Sequence, residues 1–316
     1  MKNTRKTLSY LLSAGLIALA AAMVPATAVA QERFVLISHA PDSDSWWNTI
    51  RNAVREAGEA VNARVEYRNP TTGDLADMAR IIEQAVASNP DGIIVSIADF
   101  DVLQGPIESA TRRGIPVITI NSGTHEQSEA LGALLHIGQP EYDAGYGAGQ
   151  RAREAGVSSY VCVNHYITNP ASVERCQGFA DALGVDLEMI DSGDDPTEVQ
   201  RRVEAYLRQN PDLDAVLTLG PSSAHPTIRA LESTRRAGEL YFATFDLSGE
   251  ISEAIKSGTI DFAIDQQPYL QGYMPVIMLS LYSRYGIIPS NHMNSGPGFI
   301  TADNIELVEE LAGEIR

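Results

Sequence analysis

Trp46 and Trp47, the only tryptophans in the chain, stand side by side. With them goes a small set of carboxylates, amides and one guanidinium. Asp44, Asp99, Asp246, Asn121, Asn164 and Gln266 stand at or just beyond the ends of apolar runs. Arg175 stands at the start of a helical stretch. Indole planes cover the C–H face of a ring, while carboxylates, amides and a guanidinium serve hydroxyls that both donate and accept. The chemistry of such a set is the holding of a sugar or polyol. On a helix, neighbouring side chains point about 100° apart, so at most one of the two indoles belongs to the core while the other faces a ligand. The rigid fork of Arg175 suits paired hydroxyl oxygens, against the alternative of a solvent-facing helical arginine. Asp246 directly follows an apolar strand and can accept from two hydroxyls; its competing role is to cap the next helix. Asn121 and Asp99 occupy equivalent positions, with turn and cap roles in competition. Three carboxylates against one strong cation favour a neutral ligand over a phosphate or carboxylate. A cation caged by Trp46, Trp47 and Phe245 is the alternative.

Bond-breaking chemistry finds less support. The six histidines, His39, His125, His136, His165, His225 and His292, show no metal-ligand spacing such as H-x-x-x-H. Asp42-x-Asp44 imitates the opening of a calcium loop, but Trp47 and Ala53 stand where that loop needs Gly and Glu. There is no G-x-S-x-G elbow and no phosphate-binding loop. Gly145-x-Gly147-x-Gly149 falls within a helical stretch and reads as close helix packing. No catalytic residue, metal or cofactor is therefore expected, and the chain is read as a non-enzyme.

The elements that must position these residues alternate in type. Phe34-Val35-Leu36-Ile37 runs into Ser38-His39, Gly92-Ile93-Ile94-Val95 into Ser96, and Val117-Ile118-Thr119-Ile120 into Asn121-Ser122. Tyr160-Val161-Cys162-Val163 meets Asn164-His165, Ala215–Leu219 meets Gly220-Pro221, and Tyr241–Phe245 meets Asp246. Continuous apolar runs of this length read as strands buried on both faces, hence as parallel sheets covered by helices. Ligands of such sheets bind beyond the carboxyl ends of the strands, where these polar residues lie. Helices are expected over 46–62, 74–87, 104–113, 141–155, 171–183, 196–209 and 225–237, with further strands at 65–68, 133–137 and 186–190. No low-complexity tract divides the two series, and Gln139-Pro140 marks the break between them.

Lys2, Arg5 and Lys6, the apolar stretch Leu8 to Ala22, and Ala28-Val29-Ala30 form a secretory leader with cleavage after Ala30. The chain left behind begins at Gln31 and has 286 residues. No cysteine follows the leader, which argues against a lipid anchor, and the bacterial periplasm is the expected compartment. Removing three cations takes the formal charge from -18 to -21. That balance argues against nucleic acid and an anionic membrane surface as partners and reads as a well-solvated acidic surface. The length suggests two domains, and a hydrophobic fraction of 44% supports a core in each. Cys162, on a strand, and Cys176, on the following helix, are a possible disulfide. It would close a ring of 15 residues, worth about 3 kcal/mol, and tie down the loop presenting Asn164, His165 and Asn169. Two separately buried thiols are the alternative.

The order of elements, with five local motifs, resembles the periplasmic ribose-type sugar-binding proteins of ABC transporters. The motifs are Ser43-Asp44-Ser45-Trp46-Trp47, Ile115–Asn121, Glu174-Arg175-Cys176-Gln177-Gly178-Phe179, Phe245-Asp246 and Asp265-Gln266-Gln267-Pro268. The resemblance implies a type I periplasmic binding protein, α/β, with two similar doubly wound parallel-sheet lobes joined by three crossings. The crossings fall near Gln139, Gln266 and Ser295–Gly298. The implied N-terminal lobe is 31–138 plus 267–295, and the C-terminal lobe 139–266 plus 296–316. The implied function is capture of a neutral monosaccharide or polyol by a monomer and delivery to an inner-membrane permease. A sensing module that presents a small molecule to a receptor or sensor kinase is the alternative. The chain departs from the ribose pattern in two places. Asn121-Ser122 replaces a charged pair, and Gly220-Pro221 an Asn-Asp, with Ser222, Ser223 or His225 as substitutes.

Overall fold

A computed structural model describes residues 31–316; the expected leader and its cleavage point lie outside the described residues. The apolar runs form strands because both their faces are claimed. In β1 (Arg33–Ile37), Phe34 and Leu36 enter one core while Val35 and Ile37 enter another on the opposite side of the sheet. The chain continues through α1 (Trp47–Val61), β2 (Arg64–Arg68), α2 (Leu75–Ala87), β3 (Gly92–Val95), α3 (Phe100–Arg112), β4 (Val117–Ile120), α4 (His125–Ala130) and β5 (Leu135–Gly138). It then crosses at Gln139-Pro140 into a second series. That series comprises α5 (Glu141–Glu154), β6 (Tyr160–Asn164), α6 (Pro170–Leu183), β7 (Met189–Asp191), α7 (Pro196–Gln209), β8 (Ala215–Thr218), α8 (Pro221–Thr234), β9 (Tyr241–Phe245), α9 (Gly249–Ser257) and β10 (Phe262–Asp265). Gln266-Gln267 returns to α10 (Pro268–Tyr285) and β11 (Met293–Asn294), and 295–297 leads back to β12 (Gly298–Thr301).

Two six-stranded sheets result, ordered β11-β5-β4-β3-β1-β2 and β12-β10-β9-β8-β6-β7. All pairings are parallel except β12 against β10. The fold is therefore two doubly wound α/β lobes joined by three crossings. In each sheet the order reverses beside the first strand of the lobe, which opens a crevice beyond the strand ends. No described helix is long and apolar enough to cross a membrane.

Several elements differ from the sequence reading. α3 starts at Phe100 rather than 104, because the Asp99 side chain accepts from Val102 N–H at 3.0 Å and caps it there. α8 starts at Pro221 rather than 225, with proline at the first helical position, where no N–H is needed. α4, opened by a Thr124–Gln127 capping box, and α10 were not expected. β7 begins at Met189, the residue that registers with Cys162 of β6. The helical glycines do bring helices together: a Cβ at Gly145 would fall on the Arg175 carbonyl, and one at Gly178 on the carbonyl of Tyr142. α5 and α6 thus meet backbone to backbone, and that contact sets the position of Arg175.

Candidate functional site

The carboxyl ends of the two sheets face each other across a cleft of about 540 Å³, its open mouth included. The N-terminal lobe contributes His39, Asp44, Trp46 and Trp47 after β1, and Asn121 and Ser122 after β4. The opposite wall carries His165, Tyr166, Asn169, Ser172 and Arg175 from the β6–α6 segment, Gly220 to Ser222 after β8, and Asp246 after β9. Gln266, from the second crossing, completes the lining.

One hydrogen-bonded chain runs from wall to wall. Gln266 Nε2 donates to Asp246 Oδ1 at 2.8 Å, and Asn121 Nδ2 donates to Gln266 Oε1 at 3.3 Å. Ser122 Oγ donates to Asn121 Oδ1 at 3.1 Å and accepts from Asn169 Nδ2 at 3.2 Å. Asn121 also donates to Gln271 Oε1 at 3.1 Å, and Gln271 donates to Ser295 Oγ at 2.9 Å, which ties the third crossing to the same network. Asn121 (φ 60°) and Asp246 (φ 65°) hold left-handed backbone at the strand ends. Asn and Asp visit that region more readily than other side chains, at a cost of about 1–3 kcal/mol that the surrounding structure must hold in place.

The charged groups are set by burial. Asp246 is 5% exposed, and burial pushes its carboxyl from the ordinary 3.8 up to about 7, with Arg175 and the Gln266 amide pulling the other way. Burial also raises Asp44, whose Oδ1 accepts from Trp46 N–H at 3.1 Å. His39 and His165 are held down at about 4 by burial and are neutral at physiological pH; Arg175 adds to the effect on His165. His39 bonds Ser96 through Nδ1 at 2.9 Å, meets the Trp47 ring edge-on at 5.3 Å and lies 5.8 Å from the Tyr166 ring of the other lobe. Trp47 is 2% exposed and belongs to the core, whereas Trp46 is half-buried and stands edge-on to it.

Of the residues singled out from the sequence, Asp44, Trp46, Trp47, Asn121, Arg175, Asp246 and Gln266 line the cleft. Three do not. Asp99 is turned to its cap on α3. Asn164 is buried and accepts from Tyr166 N–H at 2.9 Å, holding the turn after β6. Phe245 is fully buried beneath the Arg175 guanidinium, 4.4 Å from its ring centre, so it supports the arginine rather than a ligand. A cationic cage of Trp46, Trp47 and Phe245 is therefore not assembled. Ser222 lines the cleft, but Ser223 Oγ accepts from Leu219 N–H at 3.1 Å and His225 bonds Ser248 at 2.8 Å. His39, Ser122, His165 and Asn169 were visible only as strand-end or loop residues, and nothing marked Tyr166 or Ser172. The structure bridges Cys162 and Cys176, with Cα atoms 5.8 Å apart, which clamps the middle of α6, beside Arg175, to β6. Among the described residues no group of three or more His, Cys, Asp or Glu is placed to hold a metal ion.

Two lobes closing over a polar cleft at the carboxyl ends of their strands define a solute-binding protein. Residues 34–285 match the periplasmic binding protein domain, and the chain belongs to that family. It is similar to a carbohydrate transporter from Acidothermus cellulolyticus crystallised with myo-inositol: 31% identical, TM-score 0.84, covering 90% of this chain and 98% of the other. The xylose/arabinose-binding protein XylF of Sulfolobus acidocaldarius is 25% identical over 292 residues, 87% of this chain and 72% of XylF. The ribose import binding protein RbsB of Haemophilus influenzae is 23% identical over 278 residues, 86% of this chain and 91% of RbsB.

Proposed function

We propose that the chain is the substrate-binding protein of an ABC transporter. It is exported to the periplasm with cleavage after Ala30, captures a neutral monosaccharide or polyol between its lobes without turning it over, and delivers it as a monomer to an inner-membrane permease. The lobes are 31–138 plus 267–295 and 139–266 plus 296–316. The observation that carries the reading is the Asp246–Gln266–Asn121–Ser122–Asn169 chain, which spans the cleft with alternating acceptors and donors. Hydroxyls on adjacent ring carbons suit such a chain because each donates once and accepts twice. Trp46 supplies an apolar surface for the C–H face. Likeness to the protein crystallised with myo-inositol, and to the xylose/arabinose and ribose proteins, supports the same ligand class. Closure is a population shift, driven by a ligand that touches both walls only when they approach.

A thermal-shift screen of residues 31–316 tests this, using myo-inositol, D-ribose, D-xylose, L-arabinose, D-glucose, D-galactose, amino acids and quaternary amines. A ligand at 100 Kd adds about 2.7 kcal/mol to stability. A shift with at least one neutral polyhydroxy compound is expected. A shift confined to amino acids or amines overturns the ligand class and leaves the fold untouched.

A further inference from the structure

Glu141 has no apparent part in the cleft when read from sequence. It opens α5 directly after the first crossing and is 4% exposed. Its carboxylate accepts from Arg175 Nε at 2.7 Å and Nη2 at 2.8 Å, and Gln139 Nε2 of the crossing donates to the same carboxylate at 2.8 Å. Arg175 Nη1 donates to the Leu219 carbonyl at 3.1 Å, and the guanidinium lies on the Phe245 ring. Three of the five N–H groups are thereby engaged, leaving two for the cavity. Among the described lining residues Arg175 is the only Lys or Arg. A guanidinium with its fork free takes a carboxylate or phosphate bidentately and is the usual means by which a site recruits an anion. Here the Nε–Nη2 edge is already filled by a carboxylate of the protein's own, whose charge offsets that of the guanidinium.

We propose that Glu141 is the positioning residue that sets the charge selectivity of the cleft: by pairing with the Nε–Nη2 edge of Arg175 and offsetting its charge, it makes the arginine a hydroxyl donor and turns away acidic sugars and phosphorylated polyols. The inference rests on, and sharpens, the reading of the cleft as a sugar or polyol site. The remaining acids near the guanidinium are Asp246 and Glu174, which act on it through space, without a hydrogen bond. They oppose an incoming anion, but neither pairs with that edge.

The test is calorimetric titration at pH 7.5 of the unmodified protein and Glu141→Gln. The probes are the neutral compound that binds in the screen and its counterpart carrying an acid: glucose with glucuronate, ribose with ribose 5-phosphate, or myo-inositol with its 1-phosphate. The unmodified protein is expected to prefer the neutral member at least 100-fold, and Glu141→Gln to reduce that ratio at least tenfold. A residue that merely supports the fold weakens both members alike and leaves the ratio unchanged, which overturns the proposal. So does unmodified protein that binds the acid within tenfold of its neutral partner. Should Glu141→Gln fail to fold, Glu141→Asp keeps the charge near Arg175. Its ratio is expected to stay within threefold of the unmodified value, and a fall of tenfold overturns the proposal. Protein that takes an amine or amino acid and no neutral polyhydroxy compound refutes the reading of the cleft itself, and Glu141's role with it.

Discussion

Acidification below pH 7 is expected to weaken ligand binding while it stabilises the empty protein, and both effects trace to Asp246. The carboxyl is buried and titrates at about 7 instead of 3.8, with burial as the largest cause. In the empty protein the native state keeps a proton that the unfolded chain releases between about pH 4 and 7. Unfolding thus releases a proton over that window, and stability rises as pH falls through 7. The distance from 3.8 to about 7 is worth at most about 4 kcal/mol. The ligand acts in the opposite sense. Gln266 occupies Oδ1, so a ligand hydroxyl donates to Oδ2, and that bond favours the ionised form. Binding must then expel the proton, which costs up to about tenfold in affinity for each pH unit below 7, or roughly thirtyfold at pH 5.5. His39 and His165, held at about 4, stay neutral throughout this range. Calorimetry at pH 5.5, 6.5, 7.5 and 8.0, in two buffers of different ionisation heat, reads both the affinity and the protons released. Release approaching one proton per ligand near pH 6 is expected, and Asp246→Asn should flatten the profile. Constant affinity from pH 5.5 to 8 with no proton release refutes the argument, as does a slope that survives in Asp246→Asn.

Three other perturbations have expected outcomes. Arg175→Ala should abolish binding and also destabilise the fold by about 3–5 kcal/mol, because it leaves the buried Glu141 carboxylate unpaired; urea unfolding measures this, and unchanged stability contradicts the pair. Gly145→Ala forces a methyl group against the Arg175 carbonyl and should cost about 1–3 kcal/mol as α5 and α6 part; a melting temperature equal to that of the parent contradicts the close approach. Replacing Cys162 and Cys176 together with alanine should cost about 3 kcal/mol by the chain-entropy account, read as a lower urea midpoint, and an unchanged midpoint contradicts it.

Much of the fold was legible because buried strands of parallel sheets announce themselves as unbroken apolar runs. The run 34–37, with each face claimed by a separate core, is an example. No helical stripe marks α10 in the sequence, because its apolar residues fall on all sides and Pro275 stands inside it. α4 is a single polar stretch of six residues held by its capping box. Within the site, position at a strand end was legible but side-chain direction was not. Asp246 directly follows β9 and Asp99 lies four residues beyond β3, yet one turns into the cleft on left-handed backbone and the other folds forward onto its own helix. Phe245 sits one layer behind the cleft surface, since a residue inside the strand reaches the ligand only through the arginine stacked on it. Glu141 gave no sign because its partner lies 34 residues away, and nothing local in the sequence signals such a pairing.

The most direct test is a crystal structure of residues 31–316 grown with the neutral sugar or polyol that gives the largest thermal shift. The ligand should lie between the lobes, with its hydroxyls within about 3.2 Å of Asp246 Oδ2, an Arg175 N–H, and Asn121 or Gln266, and with Trp46 against its C–H face. A ligand bound outside this cleft, or held by one lobe alone with Asp246 and Arg175 untouched, contradicts the account.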